Sequence, residues 1–333
     1  MKVSVIIKAL NEEANIERSI QSALHAVSKI PGGGEVILAD SLSTDQTVAL
    51  AQQHPVVIAQ LKNPRDRSCG IGAQLGFNVA QGEYLYILDA DMEFHDGFLT
   101  SCVQHLDDNP QCAGVGGLIT EMETSNREFL ERYKRKANTL VKAGKVSFLG
   151  MGGLYRRCAI QQVGYFTNKT LNSYEEFELG ARLNNQGWEL TRLNIPGVMH
   201  YGYQIGEYAL LLKRLKTGYI YGLGELLRSV WRKPYFVFTL RNLRQIRIYA
   251  AYFAWFAVAV LGLLFSVFSA LPVWLPLFWL LLPVVALAVK KRGLSAAVYT
   301  VVSGVFNGWG MLAGFVKSKP SDPMAEFEFQ VVS

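Results

Sequence analysis

Residues able to do acid–base or metal chemistry recur at four places in the N-terminal part of the chain. They are Asn11-Glu12-Glu13, the polar stretch 40–45, Asp89-Ala90-Asp91 and Glu175-Glu176. One carboxylate at a strand-to-helix turn often does no more than cap the helix. Four such clusters in succession are poorly explained by capping alone, so we expect a site whose chemistry depends on carboxylates.

The most specific pair is Asp89 and Asp91. Both follow the apolar run 84–88, and the small Ala90 between them lets their side chains turn toward one ion. Two carboxylates that leave coordination positions for water and phosphate oxygens suit Mg²⁺ or Mn²⁺. The pattern therefore predicts a divalent metal bound together with a diphosphate, although a DxD pattern alone is common by chance.

The elements that must position these residues are an alternation of strands and helices. Apolar runs at 3–7, 35–39, 56–59 and 84–88 predict strands, and apolar residues at helical spacing in 12–26, 47–53 and 73–80 predict helices. Strands with so few polar positions are covered by helices on both faces. Ligands of such folds bind at the carboxyl ends of the strands, which is where the polar clusters lie.

The chain resembles the family-2 glycosyltransferases with the A-type nucleotide-sugar fold. The resemblance rests on an ordered set of segments within residues 1–205: VSVIIKALNEEANIERSIQSAL, EVILADSLSTDQT, GIGAQLGFNVAQGEYLYILDADMEF, GVGG, YEEFELGARLNNQGWEL and PGVMH. It implies an α/β fold, with a Rossmann-like, nucleotide-sugar-binding mixed sheet that carries helices on both faces. It also implies an inverting transfer of one sugar from a nucleotide-sugar donor, for which we expect UDP.

The resemblance also implies roles for residues, carried over position by position. The donor nucleotide is expected at Ala9, Asn11, Glu13 and Asp40; the metal and diphosphate at Asp89, Asp91 and His200; and the catalytic base at Glu176, with Glu175 as the alternative. A glycine-spaced turn with arginines can bind phosphate or be a plain surface loop, and we expect Arg67 and Gly70 to contact the donor. Three places depart from the family: Lys8 stands where many members have Pro or Thr, residues 40–43 read Asp-Ser-Leu-Ser where many read Asp-Asp-Gly-Ser, and Glu176 stands where the base is usually Asp.

The composition of the C-terminal part is typical of a membrane protein. Residues 248–289 are 42 consecutive residues without Asp, Glu, Lys, Arg or His, about 63 Å of helix and close to two crossings of the hydrocarbon core. Residues 207–247 carry nine basic and two acidic residues, which indicates contact with anionic lipid and a cytoplasmic location. A wholly soluble protein is excluded, and without a basic, aromatic-rich surface in the first 200 residues we expect no nucleic-acid partner.

These observations predict four regions. Residues 1–205 form a cytoplasmic catalytic domain, 206–247 basic amphipathic helices at the membrane surface, 248–316 the transmembrane region and 317–333 a C-terminal tail. Segments 248–270 and 272–289 are predicted to cross, whereas 294–316 either crosses or is re-entrant. The expected protein is a multi-pass component of the inner or plasma membrane. Its four cysteines are expected to be free thiols.

A nucleotide-sugar site held at a membrane favours a lipid-linked acceptor, and a polyprenyl-linked one is the most economical. We therefore predict a metal-dependent hexosyltransferase of exopolysaccharide or glycolipid synthesis. Two alternatives stay open: a polyprenyl-phosphate monoglycosyltransferase, and a membrane protein that binds nucleotide sugars without catalysis. The sequence names neither the sugar nor the acceptor, and a homo-oligomer is compatible with it.

Overall fold

The computed structural model describes residues 1–122, 143–202, 205–268, 272–317 and 322–332. The chain divides into two compact units, the first formed by Met1–Glu207 with Pro320–Ser333 and the second by Tyr208–Lys319.

Within the described residues of the first unit, ten strands form one mixed sheet. They are β1 (Val3–Ala9), β2 (Gly34–Asp40), β3 (Val57–Leu61), β4 (Tyr84–Asp89), β5 (Met92–Phe94), β6 (Cys112–Glu121), β7 (Gly144–Lys145), β8 (Gly153–Arg156), β9 (Glu189–His200) and β10 (Phe329–Val332). The order is β10-β3-β2-β1-β4-β8-β6-β9-β5, and β7 pairs with β9. Strands β3, β2, β1 and β4 are parallel, whereas β8 is antiparallel to both of its neighbours. The predicted α/β fold class with a mixed sheet is confirmed.

Helices cover both faces of this sheet, as the apolar strands require. They are α1 (Ile16–Ser28), α2 (Thr47–Ala51), α3 (Cys69–Val79), α4 (Phe98–Asp108), α5 (Arg157–Gln162) and α6 (Glu175–Asn185). Buried residues of α1, α2 and α4 share one apolar core with alternate residues of β1, and buried residues of α3, α5 and α6 form the other core. Because side chains alternate along a strand, Ile6 and Lys8 point to the α3 and α6 side.

Helix α3 lies against β1 at two glycines. A Cβ atom at Gly76 would lie 2.2 Å from Cγ2 of Ile6, and one at Gly72 would lie 3.0 Å from Cγ of Lys8. Such distances leave no room for a larger side chain at Gly76. The close approach of helix and strand leaves the Lys8 side chain covered by protein.

The second unit is helical. Its helices are α7 (Glu207–Lys216), α8 (Gly222–Ser229), α9 (Phe236–Asn242), α10 (Arg244–Phe268), α11 (Trp274–Lys291) and α12 (Leu294–Lys317), with a 3-10 turn at Tyr219–Tyr221 before α8. By length and composition, α10, α11 and α12 are each able to span a membrane. The three long apolar segments expected from the sequence are thus helices.

The C-terminal end of the chain contains a strand that the sequence did not suggest. Strand β10 pairs antiparallel with the edge strand β3, so that Val331 lies opposite Ala59. The Gln330 side-chain amide also donates to Oε1 of Gln60 at 3.0 Å. The segment that we expected to be a plain tail therefore covers one edge of the sheet of the first unit.

Candidate active site

Three of the polar clusters meet because their strands are neighbours. In the parallel register, Ala9 at the end of β1 pairs with Asp40 at the end of β2, and Lys8 pairs with Asp89 at the end of β4. The carboxyl ends of β2, β1 and β4 thus form one edge, where the ligands of α/β sheets bind.

The loops after β1 and β2 are locked together by Asn11 and Glu13. The backbone N–H of Asn11, a residue with φ of 57°, donates to Oγ of Ser43 at 2.9 Å, and Oδ1 of Asn11 accepts from the N–H of Thr44 at 2.7 Å. The N–H of Glu13 donates to Oδ2 of Asp45 at 3.1 Å. These bonds fix the shape of the two loops expected to line the nucleotide pocket.

Asp40 is fully buried and closes the turn after β2. It accepts hydrogen bonds from the N–H of Ser43 at 3.2 and 3.1 Å and from the side-chain amide of Gln60 at 2.9 Å. A contact with a nucleotide base would come in addition to these bonds.

Arg67 and Gly70 have clear contacts within the protein. Nε of Arg67 donates to the carbonyl of Ser41 at 2.8 Å, and its Nη2 donates to the carbonyl of Leu42. A Cβ at Gly70 would lie 1.9 Å from the carbonyl oxygen of Asn168. The structure therefore gives Arg67 a role in holding the β2 loop and gives Gly70 a packing reason to be glycine.

His200 stands between two carboxylates. Its Nε2 lies 3.3 Å from Oδ2 of Asp91, and its Nδ1 lies 2.6 Å from Oε2 of Glu121. Burial lowers the pKa of the imidazole, but the hydrogen bonds and charges of Asp91 and Glu121 outweigh burial and raise it to about 9. Glu121 is the last residue of β6 and is 79 residues away from His200 in sequence, and sequence analysis did not identify it.

Asp91 and His200 lie side by side, whereas the Asp89 side chain is paired with Lys8. A carboxylate and an imidazole are donors compatible with an ion that is shared with a diphosphate. Within the described ranges, no three His, Cys, Asp or Glu side chains are arranged to hold a metal by themselves. Mg²⁺ and Mn²⁺ keep several water or phosphate ligands, so a complete protein cage is not required. A histidine whose second ring nitrogen is fixed by a carboxylate, as Glu121 fixes His200, is the common arrangement for a metal ligand.

Glu176 is held by the backbone of the loop before β8. Its Oε1 accepts from the N–H of Met151 at 3.0 Å and of Gly152 at 3.5 Å. The φ angles of Gly150, Met151 and Gly152 are 63°, 59° and 97°, so three successive left-handed residues direct these N–H groups at the carboxylate. Glycine adopts such φ angles readily, so Met151 is the strained residue of the three, and strain of this kind is concentrated at functional sites.

The second oxygen of Glu176 is the exceptional atom of the site. Oε2 is buried and has no hydrogen-bond partner among the residues that the structure describes. Burial raises the pKa of Glu176 to about 7, a shift that Lys8 opposes and that the charges of Glu175 and Asp89 increase. The carboxylate thus has one fixed oxygen, one free oxygen and a pKa suited to general base chemistry at neutral pH.

Glu175 is engaged differently, through Lys8. The Lys8 ammonium lies 3.2 Å from Oε1 of Glu175 and 2.9 Å from Oδ1 of Asp89. Burial lowers the pKa of Lys8, but the charges of Asp89 and Glu175 outweigh burial and hold it above its ordinary value. A lysine in an otherwise apolar strand was the only sequence signal of this contact.

Helix α6, which carries both glutamates, is anchored beneath them by a buried ion pair. Nε of Arg182 donates to Oε2 of Glu178 at 2.8 Å, and its guanidinium also donates to the carbonyls of Tyr165 and Phe166 at 2.6 and 2.7 Å. A Cβ at Gly180 would lie 2.6 Å from the Ser147 carbonyl. These contacts fix the position of the first turn of the helix.

Comparison with known proteins identifies the family of this domain. Residues 4–164 match the sequence profile of the family described as glycosyl transferase family 2. The first unit of the chain is a glycosyltransferase domain and belongs to this family.

Among characterised relatives, the low-salt glycan biosynthesis hexosyltransferase Agl6 of Haloferax volcanii is 30% identical over 92 residues. That match covers 28% of this chain and 21% of Agl6, so the chain spans about a fifth of the length of this relative.

Among solved structures, the mannosyltransferase PcManGT from Pyrobaculum calidifontis in complex with GDP-Man and Mn²⁺ is similar, with a TM-score of 0.66 and 19% identity. The similarity covers 95% of this chain and 88% of PcManGT. Residues 1–349 of S. aureus TarS give a TM-score of 0.52 at 13% identity, over 100% of this chain and 96% of that 1–349 segment. These likenesses show the fold.

Proposed function

We propose that the chain transfers a sugar from a nucleotide-sugar donor to a hydroxyl of a membrane-bound acceptor, with Glu176 as the general base. The observation that carries this proposal is the buried, unpartnered Oε2 of Glu176. A carboxylate oxygen that accepts no hydrogen bond from the described residues, in a group whose pKa is about 7, is able to accept a proton from a substrate. Glu175 is the weaker candidate because its carboxylate is tied to Lys8.

The donor would bind along the carboxyl ends of β1, β2 and β4. The loops fixed by Asn11 and Glu13 and the buried Asp40 support a nucleotide at this edge. Asp89, Asp91 and His200 would hold Mg²⁺ or Mn²⁺ with the diphosphate. When bound there, a divalent cation supplies charge neutralisation to the departing diphosphate.

The proposed reaction is a single displacement. Oε2 of Glu176 accepts the proton of the acceptor hydroxyl while the hydroxyl oxygen forms a bond to the anomeric carbon. The bond between that carbon and the diphosphate oxygen breaks, and the electron pair leaves with the nucleoside diphosphate. One displacement inverts the configuration at the anomeric carbon, and only one carboxylate base is required.

A lipid-linked acceptor is supported by the second unit. Helices α10 and α11 expose apolar side chains over most of their surface, which is typical of segments in a bilayer. Basic residues in and before these helices support contact with anionic headgroups and a cytoplasmic catalytic unit. The proposed protein is therefore a multi-pass membrane glycosyltransferase of glycolipid or exopolysaccharide synthesis.

The acceptor chemistry separates this proposal from its closest alternative. A polyprenyl phosphate is already ionised at neutral pH and needs no general base, whereas a sugar hydroxyl does. Glu176 is therefore essential for a hydroxyl acceptor and dispensable for a phosphate acceptor.

The test measures release of nucleoside diphosphate from UDP- and GDP-linked sugars by the full chain in lipid, with extracted membrane lipids and Mn²⁺ or Mg²⁺. We expect one donor to be turned over only with metal and lipid, and Glu176→Gln to lower kcat at least 100-fold. Glu17→Gln, the same change on α1 at a half-exposed side chain, is the matched control and should keep full activity. Full activity of Glu176→Gln would refute the role of Glu176 as general base. Nucleotide-sugar binding without turnover of any donor would favour a non-catalytic binding protein.

A further inference from the structure

The chain returns to the sheet of the first unit after its last apolar helix. The register of β10 places Val331 opposite Ala59 of β3, and the N–H of Lys62 donates to the carbonyl of Glu328 at 3.1 Å. The first unit therefore contains residues from before and after the second unit. Because one sheet lies on one side of a bilayer, the chain between its two parts must cross the bilayer an even number of times.

We propose that α10 and α11 cross the membrane as a hairpin, and that α12 does not cross. Instead, α12 lies in the headgroup layer on the side of the catalytic sheet. There it forms a single surface for anionic lipid with the basic segment 208–231, which contains α8 and most of α7. This inference rests on the membrane attachment that is part of the proposed function.

The distribution of basic residues selects the helices that cross. Arg241 precedes α10, and Arg244 and Arg247 are in its first turn. Three further basic residues, at 290–292, lie at the end of α11 and directly after it, and Lys317 ends α12. If α12 crossed with either α10 or α11, the cluster 290–292 would lie on the opposite side from the catalytic sheet. A hairpin of α10 and α11 keeps every basic flank on one side, as the positive-inside rule requires.

The exposure of the side chains of α10, α11 and α12 supports the same assignment of crossing helices. In α10 and α11, Ala259 and Pro276 are the buried residues among those described, so both helices are apolar and exposed nearly all round. Helix α12 is the least apolar and the most buried of the three. A helix that is apolar all round suits the hydrocarbon core, whereas a two-faced helix suits the interface.

Helix α12 touches the basic segment through its backbone. A Cβ at Gly310 would lie 2.5 Å from the carbonyl oxygen of Ile220, and one at Gly314 would lie 2.2 Å from that of Tyr221. On the other side, a Cβ at Gly224 would lie 2.0 Å from the carbonyl oxygen of Met311. The three glycines allow contact at a distance that a larger residue would prevent.

This contact extends along most of α12. The Tyr299 ring lies 5.2 Å from that of Tyr208 near the start of α7, and the Phe315 ring lies 5.8 Å from that of Trp231, beyond the end of α8. The segment between Tyr208 and Trp231 carries Lys213, Arg214, Lys216 and Arg228. If α12 crossed, it would draw this charged segment into the hydrocarbon core, where ionised side chains are costly. In the headgroup layer, the same cations meet lipid phosphates.

The opposite face of α12 is a continuous apolar stripe. Its exposed residues recur every three, four or seven positions and are Leu294, Val298, Val305, Trp309, Leu312 and Val316. This stripe would be submerged in the acyl chains, while the small-residue face is covered by protein.

The contacts of α12 with α10 determine how deep α12 lies in the bilayer. A Cβ at Gly304 would lie 2.4 Å from the Tyr252 ring, and one at Gly308 would lie 3.2 Å from Cζ of Phe253. The middle of α12 thus meets α10 within its first three turns, close to the basic residues that hold the start of α10 at the headgroups.

The first experiment maps sidedness with a membrane-impermeant maleimide in right-side-out and inside-out vesicles. The exposed native Cys158 reports the side of the catalytic unit, and the other native cysteines are replaced. Gly293→Cys and Met324→Cys are expected to react from the side of Cys158, and Val273→Cys from the opposite side. Reaction of Gly293→Cys from the side opposite Cys158 would overturn the inference, as would reaction of Val273→Cys from the same side.

The second experiment measures depth with a fluorophore on Val305→Cys, at the middle of α12, and on Val258→Cys, near the middle of α10. Lipids spin-labelled near the headgroup should quench the first more strongly, and lipids labelled deep in the acyl chain the second. Equal, deep quenching of both would overturn the inference. Neither readout depends on turnover. An inactive protein can therefore still show whether α12 crosses the membrane, and failure of the proposed function is distinguishable from failure of this inference. Release of the protein by carbonate would refute membrane attachment itself.

Discussion

The Lys8 ammonium lies 2.9 Å from Oδ1 of Asp89, its partner in the parallel register of β1 and β4. The same ammonium lies 3.2 Å from Oε1 of Glu175. One buried cation therefore joins the end of the strand expected to hold the diphosphate to the helix turn that carries the proposed base. This connection explains how a lysine is accommodated at the end of an apolar strand.

Replacement of Lys8 by Met should therefore affect both stability and the base. Removal of one partner of a buried ion pair typically costs about 3 kcal/mol, so the free energy of unfolding should fall by that order in urea denaturation. Loss of the positive charge should also raise the pKa of Glu176, because Glu175 and Asp89 then act on it without compensation. The acidic limb of the kcat/KM profile should move to higher pH.

Lys8→Arg is the control, since it retains the charge. It should keep the acidic limb near that of the unmodified protein. The other charged or titratable groups that act electrostatically on Glu176 are Arg192, Tyr155 and Tyr86, and all of them are unchanged in both variants. An unshifted pH profile in Lys8→Met would show that Lys8 does not tune the base.

The raised pKa of Glu176 also predicts that the difference in stability between Glu176→Gln and the unmodified protein depends on pH. Its folded value of about 7 is above the ordinary value of 4.5, so its contribution to stability is fully present below pH 4.5 and is lost as pH rises through 7. The loss is on the order of 3 kcal/mol. Glu176→Gln should therefore gain stability relative to the unmodified protein between pH 4.5 and pH 8 in denaturation curves. A constant difference across this range would contradict the raised pKa.

The sequence predicted the part of the sheet whose strands are long, apolar and consecutive. Strands β1 to β4 satisfy those conditions, and the polar clusters at their ends followed from the rule for parallel sheets. Strand β8 has four residues and β10 has four, and both pair with strands distant in sequence. No local pattern specifies such partners, so the antiparallel part of the sheet could not be predicted.

The same limit applies to the site. Asp89, Asp91 and Glu176 could be proposed from the sequence because their motifs are short and ordered. Glu121 meets His200 only because β6 and β9 are paired. The N–H groups that hold Glu176 come from the glycine-rich loop before β8, and no sequence pattern placed that loop beside Glu176. Contacts made by pairing of distant strands require the structure.

The buried ion pair of α6 should be essential for folding. Arg182→Met would leave Glu178 buried without its cation and three backbone carbonyls without their donor. We expect a loss of 3 to 5 kcal/mol in the free energy of unfolding, on the order found for buried pairs that lose one partner. The double variant Glu178→Met with Arg182→Met should lose less than the sum of the single changes. Additive losses would mean that the two side chains act independently.

The contact between Glu121 and His200 predicts an effect on metal binding that does not depend on turnover. Carboxylates that orient a metal-binding histidine typically contribute about 10-fold to 100-fold in affinity. Glu121→Ala should therefore weaken Mn²⁺ binding by roughly 10-fold in the presence of nucleoside diphosphate, as measured by electron paramagnetic resonance of free Mn²⁺. Glu121→Gln retains an acceptor for Nδ1 of His200 and should lose less.

The strand β10 should protect an edge of the sheet. Without residues 328–333, the N–H and carbonyl groups of β3 that now face β10 would be open to pairing with other chains. We expect the truncated protein to aggregate in detergent at concentrations where the full chain is monodisperse, as judged by light scattering. Val331→Asp is a milder variant at a side chain that is 58% exposed; it keeps the backbone pairing and should remain monodisperse. Equal behaviour of the truncated and full-length chains would show that the edge of β3 needs no cover.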